Sequence, residues 1–440
     1  MKVFITTLGC EKNTVDSENA AALLQKAGCI LVNDPEEADV FIVNTCGFIH
    51  DAKQQSIETI FDLSRMKGDS KRLIVTGCLS QRYAKELADS MPEVNHFLGV
   101  NDYQSLADIV LGTKEDRIFC QNSPKTYQEL GSRTITTAPW TRSIKIAEGC
   151  SNVCAYCAIP FIRGRYRSRA EGSILAEAKA LAAEGCKELV VIAQDVTFYG
   201  RDLGLKDALP ALLKKLCKIE GIEWIRLMYC YEDEITDSLI QTIKEEDKIC
   251  KYLDIPIQHS VDHVLKDMNR KSTSESINST INKLRQQIPG IIIRTTLITG
   301  FPGETAQDAK ELTEFVRNTR FERLGVFAYS KEEGTKAASM KPQVRKDVKE
   351  RRRDRIMELQ RSISLENNQK YIGKTLRILA EEQDDKNTYI GRSYMDAPDI
   401  DNNVIFTSSQ PVVPGSFVDV KITDAFDYDL CGETVYESAK

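Results

Sequence analysis

Residues 148–169 read EGCSNVCAYCAIPFIRGRYRSR and contain three closely spaced cysteines, Cys150, Cys154 and Cys157, in the pattern CxxxCxxC. We call them the compact triad. A single loop can present all three thiolates to one metal cluster, and Gly149 gives the backbone room to turn just before it. Three thiolates can hold a four-iron cubane and leave its fourth iron open. Since a substrate or cofactor can bind at an open coordination position, the stretch predicts an iron–sulfur site at which chemistry occurs.

Three further cysteines, Cys10, Cys46 and Cys78, are spread along the N-terminal third, and we call them the dispersed triad. Each follows an apolar run that predicts a strand, and a helical pattern comes after each. They are 36 and 32 residues apart, about one βαβ repeat, which predicts a parallel sheet. Residues that follow parallel strands converge at the carboxyl edge, where open α/β sheets bind ligands. The dispersed triad therefore predicts a second metal site.

Zinc binding and a place in the core are the alternative roles for these cysteines. Structural zinc usually takes CxxC pairs with a fourth Cys or His ligand, and none of the four histidines lies near the compact triad in sequence. Any one cysteine of the dispersed triad, taken alone, would be more typical of a buried core thiol. We assign that core or incidental role to most of the other seven cysteines, which are Cys29, Cys120, Cys186, Cys217, Cys230, Cys250 and Cys431.

Length and composition define the broad class of protein. The 440 residues suffice for two or three domains, and 42% hydrophobic with 28% charged residues is ordinary for a soluble globular protein. The N-terminus lacks a signal-peptide pattern, and no apolar run approaches the roughly 18 residues that span a bilayer. An odd number of cysteines without a secretory signal predicts a reducing, cytoplasmic compartment. The net charge of −6 argues against general attraction to nucleic acid.

The stretch GCSNVCAYC with the downstream RGRYRSR resembles the signature of radical S-adenosylmethionine (SAM) enzymes, specifically the methylthiotransferases. GCEKNTVDSE, NTCGFI and VTGCLSQRY resemble that family's cluster-binding domain at all three cysteines of the dispersed triad. The resemblance covers essentially the whole chain. It implies an α/β protein of three domains: an N-terminal parallel α/β sheet domain (1–117), a radical SAM core built as a partial (β/α) barrel (136–366), and a small β-barrel TRAM domain (368–437).

The sequence pattern in the middle of the chain also predicts such a barrel, independently of the family resemblance. Strand patterns at 188–193, 225–229, 253–257, 291–298 and 321–328 are separated by helical stretches of barrel-unit length. Because barrels of this kind place their sites at the C-terminal ends of the strands, polar residues there are candidates to hold a cofactor. These residues are Gln194, Asp195, Gln258 and His259. Ordinary loop and cap chemistry is the alternative for each.

Three more residues complete the predicted cofactor site. Gly300 and Gly303 follow a predicted strand in a loop that lets the backbone approach a ligand closely before the next helix begins. Tyr156, within the compact triad's loop, is placed to pack against an adenine, with a role in the core as the alternative. The predicted cofactor-binding set is therefore Tyr156, Gln194, Gln258, Gly300 and Gly303.

The family resemblance implies two 4Fe–4S clusters per chain, one on each triad, and SAM as cofactor. It implies that SAM at the compact triad is cleaved to a 5′-deoxyadenosyl radical, which abstracts hydrogen from an unactivated C–H bond. The cluster of the dispersed triad would carry the sulfur that is methylated and transferred. No side chain needs to act as an acid or base. An electron donor and a sulfur donor are the implied partners, with no role for a membrane.

Two branches of this family differ in their substrate. One modifies isopentenyl-adenosine in transfer RNA, and the other modifies the β carbon of an aspartate in the twelfth small-subunit ribosomal protein. Residues 371–440 hold six Lys or Arg against thirteen Asp or Glu. RNA binding needs clustered Lys and Arg, whereas an acidic surface attracts a basic ribosomal protein. Residues 391–406, GRSYMDAPDIDNNVIF, also look closer to the ribosomal-protein branch. We predict the protein substrate, with direct RNA binding not favoured; the transfer-RNA substrate is the alternative.

One basic segment favours the opposite substrate. Residues 341–361 carry nine Lys or Arg against four acids and could contact RNA. We interpret the segment instead as an amphipathic helix that links barrel to TRAM domain, with Val348, Ile356 and Leu359 on its buried side. Two other functions remain as alternatives: a non-catalytic iron–sulfur electron carrier or sensor, and a radical methylase with a single cluster.

Overall fold

The N-terminal part of the chain forms a parallel α/β sheet. The computed structural model describes residues 1–68 and 70–436. The elements of this part are β1 (Lys2–Thr7), α1 (Glu11–Lys26), β2 (Ile30–Leu31), β3 (Val40–Thr45), α2 (His50–Lys67), β4 (Arg72–Gly77), α3 (Cys78–Ser90), β5 (His96–Leu98), α4 (Leu106–Leu111) and β6 (Ile118–Phe119). All six strands run parallel in the order β2-β1-β3-β4-β5-β6. The predicted sheet is confirmed.

The middle strands of this sheet are covered on both faces. Strand β3 reads VFIVNT and is buried at every residue, which is typical of a parallel strand between two layers of helices. Because successive side chains alternate between the faces, Phe41 and Val43 belong to one apolar cluster while Val40 and Ile42 belong to the other. The carboxyl edge of the sheet is therefore fixed from both sides.

The central part of the chain forms an open barrel. Its elements are β7 (Thr141–Lys145), β8 (Ala147–Glu148), α5 (Ile159–Ile162), β9 (Arg167–Ser168), α6 (Glu171–Ala183), β10 (Glu188–Ile192), α7 (Ala208–Leu216), β11 (Trp224–Leu227), α8 (Asp237–Glu245), β12 (Ile249–Asp254), α9 (Asp262–Asp267), α10 (Ser274–Gln287), β13 (Ile292–Thr299), α11 (Ala306–Thr319), β14 (Arg323–Ala328), α12 (Lys336–Ser339) and α13 (Lys346–Gln369). Six parallel strands follow each other in the order β14-β13-β12-β11-β10-β7, and β8 and β9 form a separate antiparallel pair. This is the predicted partial (β/α) barrel.

Two of its strands differ from the prediction by more than two residues. Strand β7 reads TRSIK, and its polar residues left no apolar run to identify it. Strand β12 begins at Ile249, four residues before the predicted start at 253. The prediction began too late because ICKYLD contains a lysine and an aspartate among its apolar residues. Pro256, placed inside the predicted strand, lies beyond its end, where the missing N–H is tolerated.

The C-terminal part of the chain is a closed barrel of five strands. These are β15 (Thr375–Asp385), β16 (Thr388–Arg392), β17 (Val404–Thr407), β18 (Phe417–Ala425) and β19 (Leu430–Thr434). Helix α13 leads into it, with Ile356 buried and Val348 and Leu359 half-buried, as predicted for the linker helix. No helix in the described ranges combines the length and apolarity needed to cross a bilayer.

The C-terminal barrel is fixed to the central barrel through a shared core. Val190, Trp224 and Tyr252 of the central strands lie in one apolar cluster with Val404 and Phe406 of the C-terminal barrel. Beside this core, the carboxylate of Glu188 accepts hydrogen bonds from Arg226 at 2.7 Å and from Arg392 at 2.6 Å. All three side chains are buried. The two barrels therefore share an ion triplet as well as an apolar contact.

Replacing Glu188 by glutamine is expected to lower the free energy of unfolding by about 3–5 kcal/mol, because the buried Arg226 would lose its counter-charge. Arg392 would keep only its ion pair with Glu381, at 2.7 Å. The measurement is the midpoint of thermal or urea unfolding. Glu223→Gln is the control, because Glu223 pairs with Arg377 on the surface, where such a pair contributes about 1 kcal/mol or less. Equal shifts in the two variants would contradict the prediction.

The same triplet predicts a pH dependence of stability. Burial alone would raise the pKa of Glu188, but Arg392 and Arg226 outweigh burial and hold that pKa at about 2. A carboxyl whose pKa is lower in the folded chain stabilises it at pH values above its unfolded pKa. The stabilisation by Glu188 should therefore be present above about pH 4.5 and decline as the pH falls toward 2, and Glu188→Gln should remove this part of the pH profile.

Candidate active site

The dispersed triad lies at the carboxyl edge of the N-terminal sheet, as predicted. Cys46 directly follows β3, Cys78 directly follows β4, and Cys10 immediately precedes α1. The loops approach closely: a Cβ atom on Gly9 would lie 2.9 Å from the Cβ of Cys46 and 3.2 Å from its Sγ. A side chain at position 9 would therefore displace Cys46, and the backbone there has a φ of +98° that favours glycine.

Asn13 connects all three loops of this triad. Its Nδ2 donates to the carbonyl oxygens of Leu8 at 2.7 Å and Thr45 at 3.1 Å, just before Cys10 and Cys46. Its Oδ1 accepts a hydrogen bond from the thiol of Cys78 at 3.8 Å. Asn13 is completely buried. Sequence reasoning gave it no role, although it stands in GCEKN three residues after Cys10.

The compact triad lies in the loop between β8 and α5. The N–H of Cys150 donates to the carbonyl of Gly164 at 3.0 Å, which closes the loop on itself. A Cβ on Gly149 would lie 2.3 Å from the carbonyl oxygen of Arg165, so only glycine fits there. The N–H of Ile159 donates to the Sγ of Cys157 at 3.4 Å, and the hydroxyl of Tyr231 lies 3.5 Å from the Sγ of Cys154.

Burial raises the pKa of thiols in both triads. Burial raises the pKa of Cys78 to about 11, with the nearby Cys10 and Cys46 adding to the effect. Burial likewise raises the pKa of Cys150 to about 12. A bound iron ion would reverse this by stabilising the thiolates, so that metal loading would release protons.

The donor sets fit iron–sulfur clusters. In the described residues all thirteen cysteines are free thiols, and each triad offers sulfur alone, the ligand that iron–sulfur clusters use. Across residues 1–68 and 70–436, no group of three or more His, Cys, Asp or Glu converges to hold a single metal ion. The cysteine ligands of a cubane bind separate irons, so they need not converge on one point.

Arg163 joins the two triads. Its guanidinium donates to the Oδ1 of Asn13 at 2.7 Å and to the Sγ of Cys78 at 3.5 Å. It also lies 3.0 Å from carboxylate oxygens of Asp16 and Glu148. The side chain is 1% exposed. Arg163 stands in the RGRYRSR stretch, but only the fold reveals its partners.

Lys145 completes this network as a second cation. Its ammonium lies 2.6 Å from Asp16 and 2.5 Å from Glu148, the same two carboxylates that Arg163 contacts. Burial raises the pKa of Glu148, but Arg163 and Lys145 outweigh it and hold that pKa well below its usual range. Two cations and two anions therefore balance each other in a buried layer between the triads.

A lysine and a glutamate of α1 lie beside this layer. The ammonium of Lys12 lies 3.3 Å from the centre of the Tyr229 ring, and Tyr229 follows β11 with a φ of +62°. Burial lowers the pKa of Lys12. Burial also raises the pKa of Glu11 to about 7, and one of its carboxylate oxygens is buried without a hydrogen-bond partner in the described residues.

Two of the predicted cofactor residues lie where their strands end. The Nε2 of Gln194 donates to Glu148 at 2.9 Å, which places Gln194 beside the compact triad's loop, while its Oε1 is buried without a partner among the described residues. Gln258 has a φ of +70° and its Nε2 donates to the carbonyl of Pro256 at 3.2 Å. Tyr156 packs against an apolar cluster that contains Phe301 and Tyr329.

The two predicted glycines make contacts within the chain. The N–H of Gly300 donates to Glu304 at 2.6 Å, and the N–H of Gly303 donates to the carbonyl of Pro342 at 2.9 Å. A Cβ on Gly300 would lie 2.1 Å from the Cβ of Lys349 in α13. Close packing of α13 therefore accounts for Gly300, and Thr305 caps α11 with Asp308 in a capping box.

The other two polar residues at strand ends are also buried. Burial lowers the pKa of His259 to about 3, so its imidazole is neutral. Burial raises the pKa of Asp195 to about 6, and its carboxylate accepts hydrogen bonds from Thr197 at 2.5 Å and from Asn152, in the compact triad's loop, at 3.1 Å. Asp195 therefore supports that loop.

Comparison with known families matches all three parts of the chain. The profile of the uncharacterized protein family UPF0004 matches residues 2–99, that of the radical SAM superfamily matches residues 144–316, and that of the TRAM domain matches residues 372–435. The first match contains the dispersed triad and the second contains the compact triad.

Individual relatives match over the full length. A ribosomal protein uS12 methylthiotransferase RimO from Thermoanaerobacter sp. is 48% identical over 434 residues, which cover 98% of this chain and 99% of the relative. One from Clostridioides difficile is 49% identical over 443 residues and all of both chains. Among solved structures, the radical SAM methyltransferase TsrM from Kitasatospora setae aligns with a TM-score of 0.57 at 12% identity, covering 76% of this chain and 73% of TsrM. That likeness concerns the fold alone.

Proposed function

Because the chain belongs to the ribosomal protein uS12 methylthiotransferase family, we propose that it inserts a methylthio group at the β carbon of an aspartate in uS12. The observation that carries this proposal is the joining of two thiol triads from different domains. Arg163 contacts Cys78 of one triad and Glu148, next to the loop of the other. A reaction that needs two clusters at one substrate requires such an arrangement.

We propose that each triad binds one 4Fe–4S cluster. The cluster of the dispersed triad would supply a sulfur that is methylated and transferred. The cluster of the compact triad would supply an electron that cleaves SAM. Cys10, Cys46 and Cys78 would hold the first cluster, and Cys150, Cys154 and Cys157 the second. No side-chain acid or base is assigned to the reaction.

The protein's own contribution is orientation and exclusion of water. The layer of Arg163, Lys145, Asp16 and Glu148 is buried and charge-balanced, so it holds the two loops together without an uncompensated charge. For SAM we propose contacts with Tyr156, Gln194, Gln258, Gly300 and Gly303. The orphaned Oε1 of Gln194 supports this set, because a buried acceptor without a partner is costly unless a ligand satisfies it.

The ribosomal-protein substrate rests on the relatives more firmly than on the acidic C-terminal barrel. Asp396 and Asp401 of the stretch 391–406 are not on the surface: Asp396 pairs with Arg323 at 2.5 Å and Asp401 with Arg294 at 3.2 Å, both inside the contact with the central barrel. Acids such as Asp384, Asp385 and Asp419 remain exposed. The acidic surface is thus smaller than the charge count predicts.

The remaining parts of the proposal concern partners and place. We propose that the protein acts in the cytoplasm, where uS12 is made and assembled, and that it takes electrons and sulfur from separate donors. We also propose the domain bounds 1–117, 136–366 and 368–437, of which residue 437 lies outside the described residues. The family profiles, which lie within these bounds, support them.

Mass spectrometry of uS12 tests the proposed function. The intact mass of uS12 is compared in cells with and without this gene, and transfer-RNA nucleosides are compared in parallel. We expect uS12 to lose one methylthio group in the deletion strain and to regain it when the gene is restored. Loss from a transfer-RNA adenosine instead would refute the protein substrate, and no loss from either would refute methylthiolation of both.

A further inference from the structure

Lys12 is a buried cation without a counter-charge. The residue as a whole is 7% exposed, and within the described ranges its ammonium makes no ion pair or hydrogen bond, only the contact with the Tyr229 ring. Lys145, the only other lysine buried to this extent in those ranges, contacts two carboxylates. An unpaired buried ammonium is costly in a folded protein. Such a group is retained where a ligand supplies the missing charge.

The carboxylates nearby do not satisfy it. Asp16 and Glu148 are engaged by Lys145 and Arg163, and Glu11, the neighbour in sequence, forms no ion pair with Lys12 within the described ranges. The position of Lys12 is specific: it stands two residues after Cys10, on the first turn of α1, and its ammonium faces a tyrosine at the end of the barrel strand β11. It therefore lies where the dispersed triad meets the mouth of the barrel.

The geometry points to Lys12 as the residue that binds the carboxylate of the substrate aspartate. This inference rests on the proposed function. The β carbon that reacts carries the carboxylate directly, so the group that recognises this carboxylate must lie close to the reacting atom. That atom must be reached from both clusters, and Lys12 stands two residues after Cys10 with its ammonium against Tyr229, at the end of the barrel strand β11. A charge-assisted hydrogen bond from its ammonium would orient the aspartate and would select it against asparagine.

Two other sources of negative charge make different predictions. The carboxylate of SAM could occupy the same place, in which case loss of Lys12 would weaken SAM binding. The thiolates of the dispersed triad, with Cys10 closest in sequence, could be the counter-charge once iron is bound. Loss of Lys12 would then alter the cluster, seen as a changed iron content or reduction potential, and leave substrate choice unchanged.

The test compares binding of two forms of uS12 to the iron-loaded, full-length protein, by fluorescence anisotropy of labelled uS12. One form has the natural aspartate and the other has asparagine in its place. The variants are Lys12→Met, which keeps the length of the side chain, and Lys12→Arg, which keeps the charge. Lys374→Met is the matched control, because Lys374 also lies over a tyrosine ring, that of Tyr371 at 5.0 Å, but on the C-terminal side of the chain.

We expect the wild-type protein and Lys374→Met to bind the aspartate form about tenfold more tightly than the asparagine form, as a charged hydrogen bond requires. Lys12→Met should bind both forms equally and weakly, and Lys12→Arg should keep part of the preference. Iron content, reduction potentials and cleavage of SAM without substrate should be unchanged in Lys12→Met, which also shows that this variant folds.

Three outcomes would overturn the inference. A preference for aspartate that survives in Lys12→Met would remove the role, and weaker SAM binding would assign Lys12 to the cofactor. A shifted reduction potential with the aspartate preference intact would assign it to the cluster. If the wild-type protein binds neither form of uS12, free or within ribosomes, the proposed function fails and this inference fails with it, a result distinct from the other three.

Discussion

Replacing Cys150, Cys154 and Cys157 together by alanine is expected to halve the iron of the purified protein and to abolish cleavage of SAM. The compact triad is held by its own loop, where Cys150 bonds to Gly164, and the dispersed triad is held separately by the edge of the N-terminal sheet. One cluster should therefore assemble without the other. Iron content and the release of 5′-deoxyadenosine are the measurements.

The reciprocal variant, with Cys10, Cys46 and Cys78 replaced by alanine, is the matched control. It should also keep half of the iron, and it should still cleave SAM, but it should transfer no methylthio group to uS12. The pair of variants separates the competing functions. Iron that falls to zero in the compact-triad variant would favour a radical methylase with one cluster. An intact protein that releases no 5′-deoxyadenosine with a reductant and SAM would favour an electron carrier or sensor.

The sequence predicted those features that depend on local pattern. Each cysteine of the dispersed triad follows an apolar run, and the parallel sheet that brings them to one edge follows from the βα rhythm alone. The compact triad needed only spacing within a single loop. Strand β7 was missed because TRSIK has no apolar run. The start of β12 was predicted too late because a lysine interrupts the apolar residues of ICKYLD.

The contacts that join the triads were not predictable from pattern. Arg163 and Asn13 are 150 residues apart in the chain, and Lys145 and Asp16 are 129 apart; none of these residues is distinguished from a surface residue by its neighbours in sequence. Their roles arise because α1 packs against the start of the barrel. Four charged groups in one buried layer would be an implausible expectation from sequence, since each is costly to bury alone.

The surface charge of the C-terminal barrel was also not predictable from the sequence alone. The count of residues 371–440 treats every acid as part of the surface, but Asp396 and Asp401 are buried against arginines of the central barrel. Those arginines lie in β13 and β14, far from the counted segment. A net charge computed for one domain therefore overestimates its surface charge wherever that domain is docked by ion pairs.

Asn13→Ala is expected to remove the iron of the dispersed triad while the compact triad keeps its own. The amide of Asn13 satisfies the carbonyls of Leu8 and Thr45 and contacts Cys78 and Arg163. Each buried group left unpaired costs about 1–3 kcal/mol. These partners lie in all three loops that carry the cysteines. The substitution should therefore disturb the relative positions of the thiols and leave the sheet itself folded.

Asn19→Ala is the control for this variant, because Asn19 is also buried on α1 but its side chain makes no hydrogen bond within the described ranges. Iron content and SAM cleavage distinguish the two variants. Asn13→Ala should keep about half of the iron, cleave SAM and transfer no methylthio group, whereas Asn19→Ala should resemble the wild-type protein in all three. Because Asn13 holds the loops by hydrogen bonds alone, full iron in Asn13→Ala would mean that the sheet edge fixes the thiols without it, and that the contact with Arg163 serves only to join the domains.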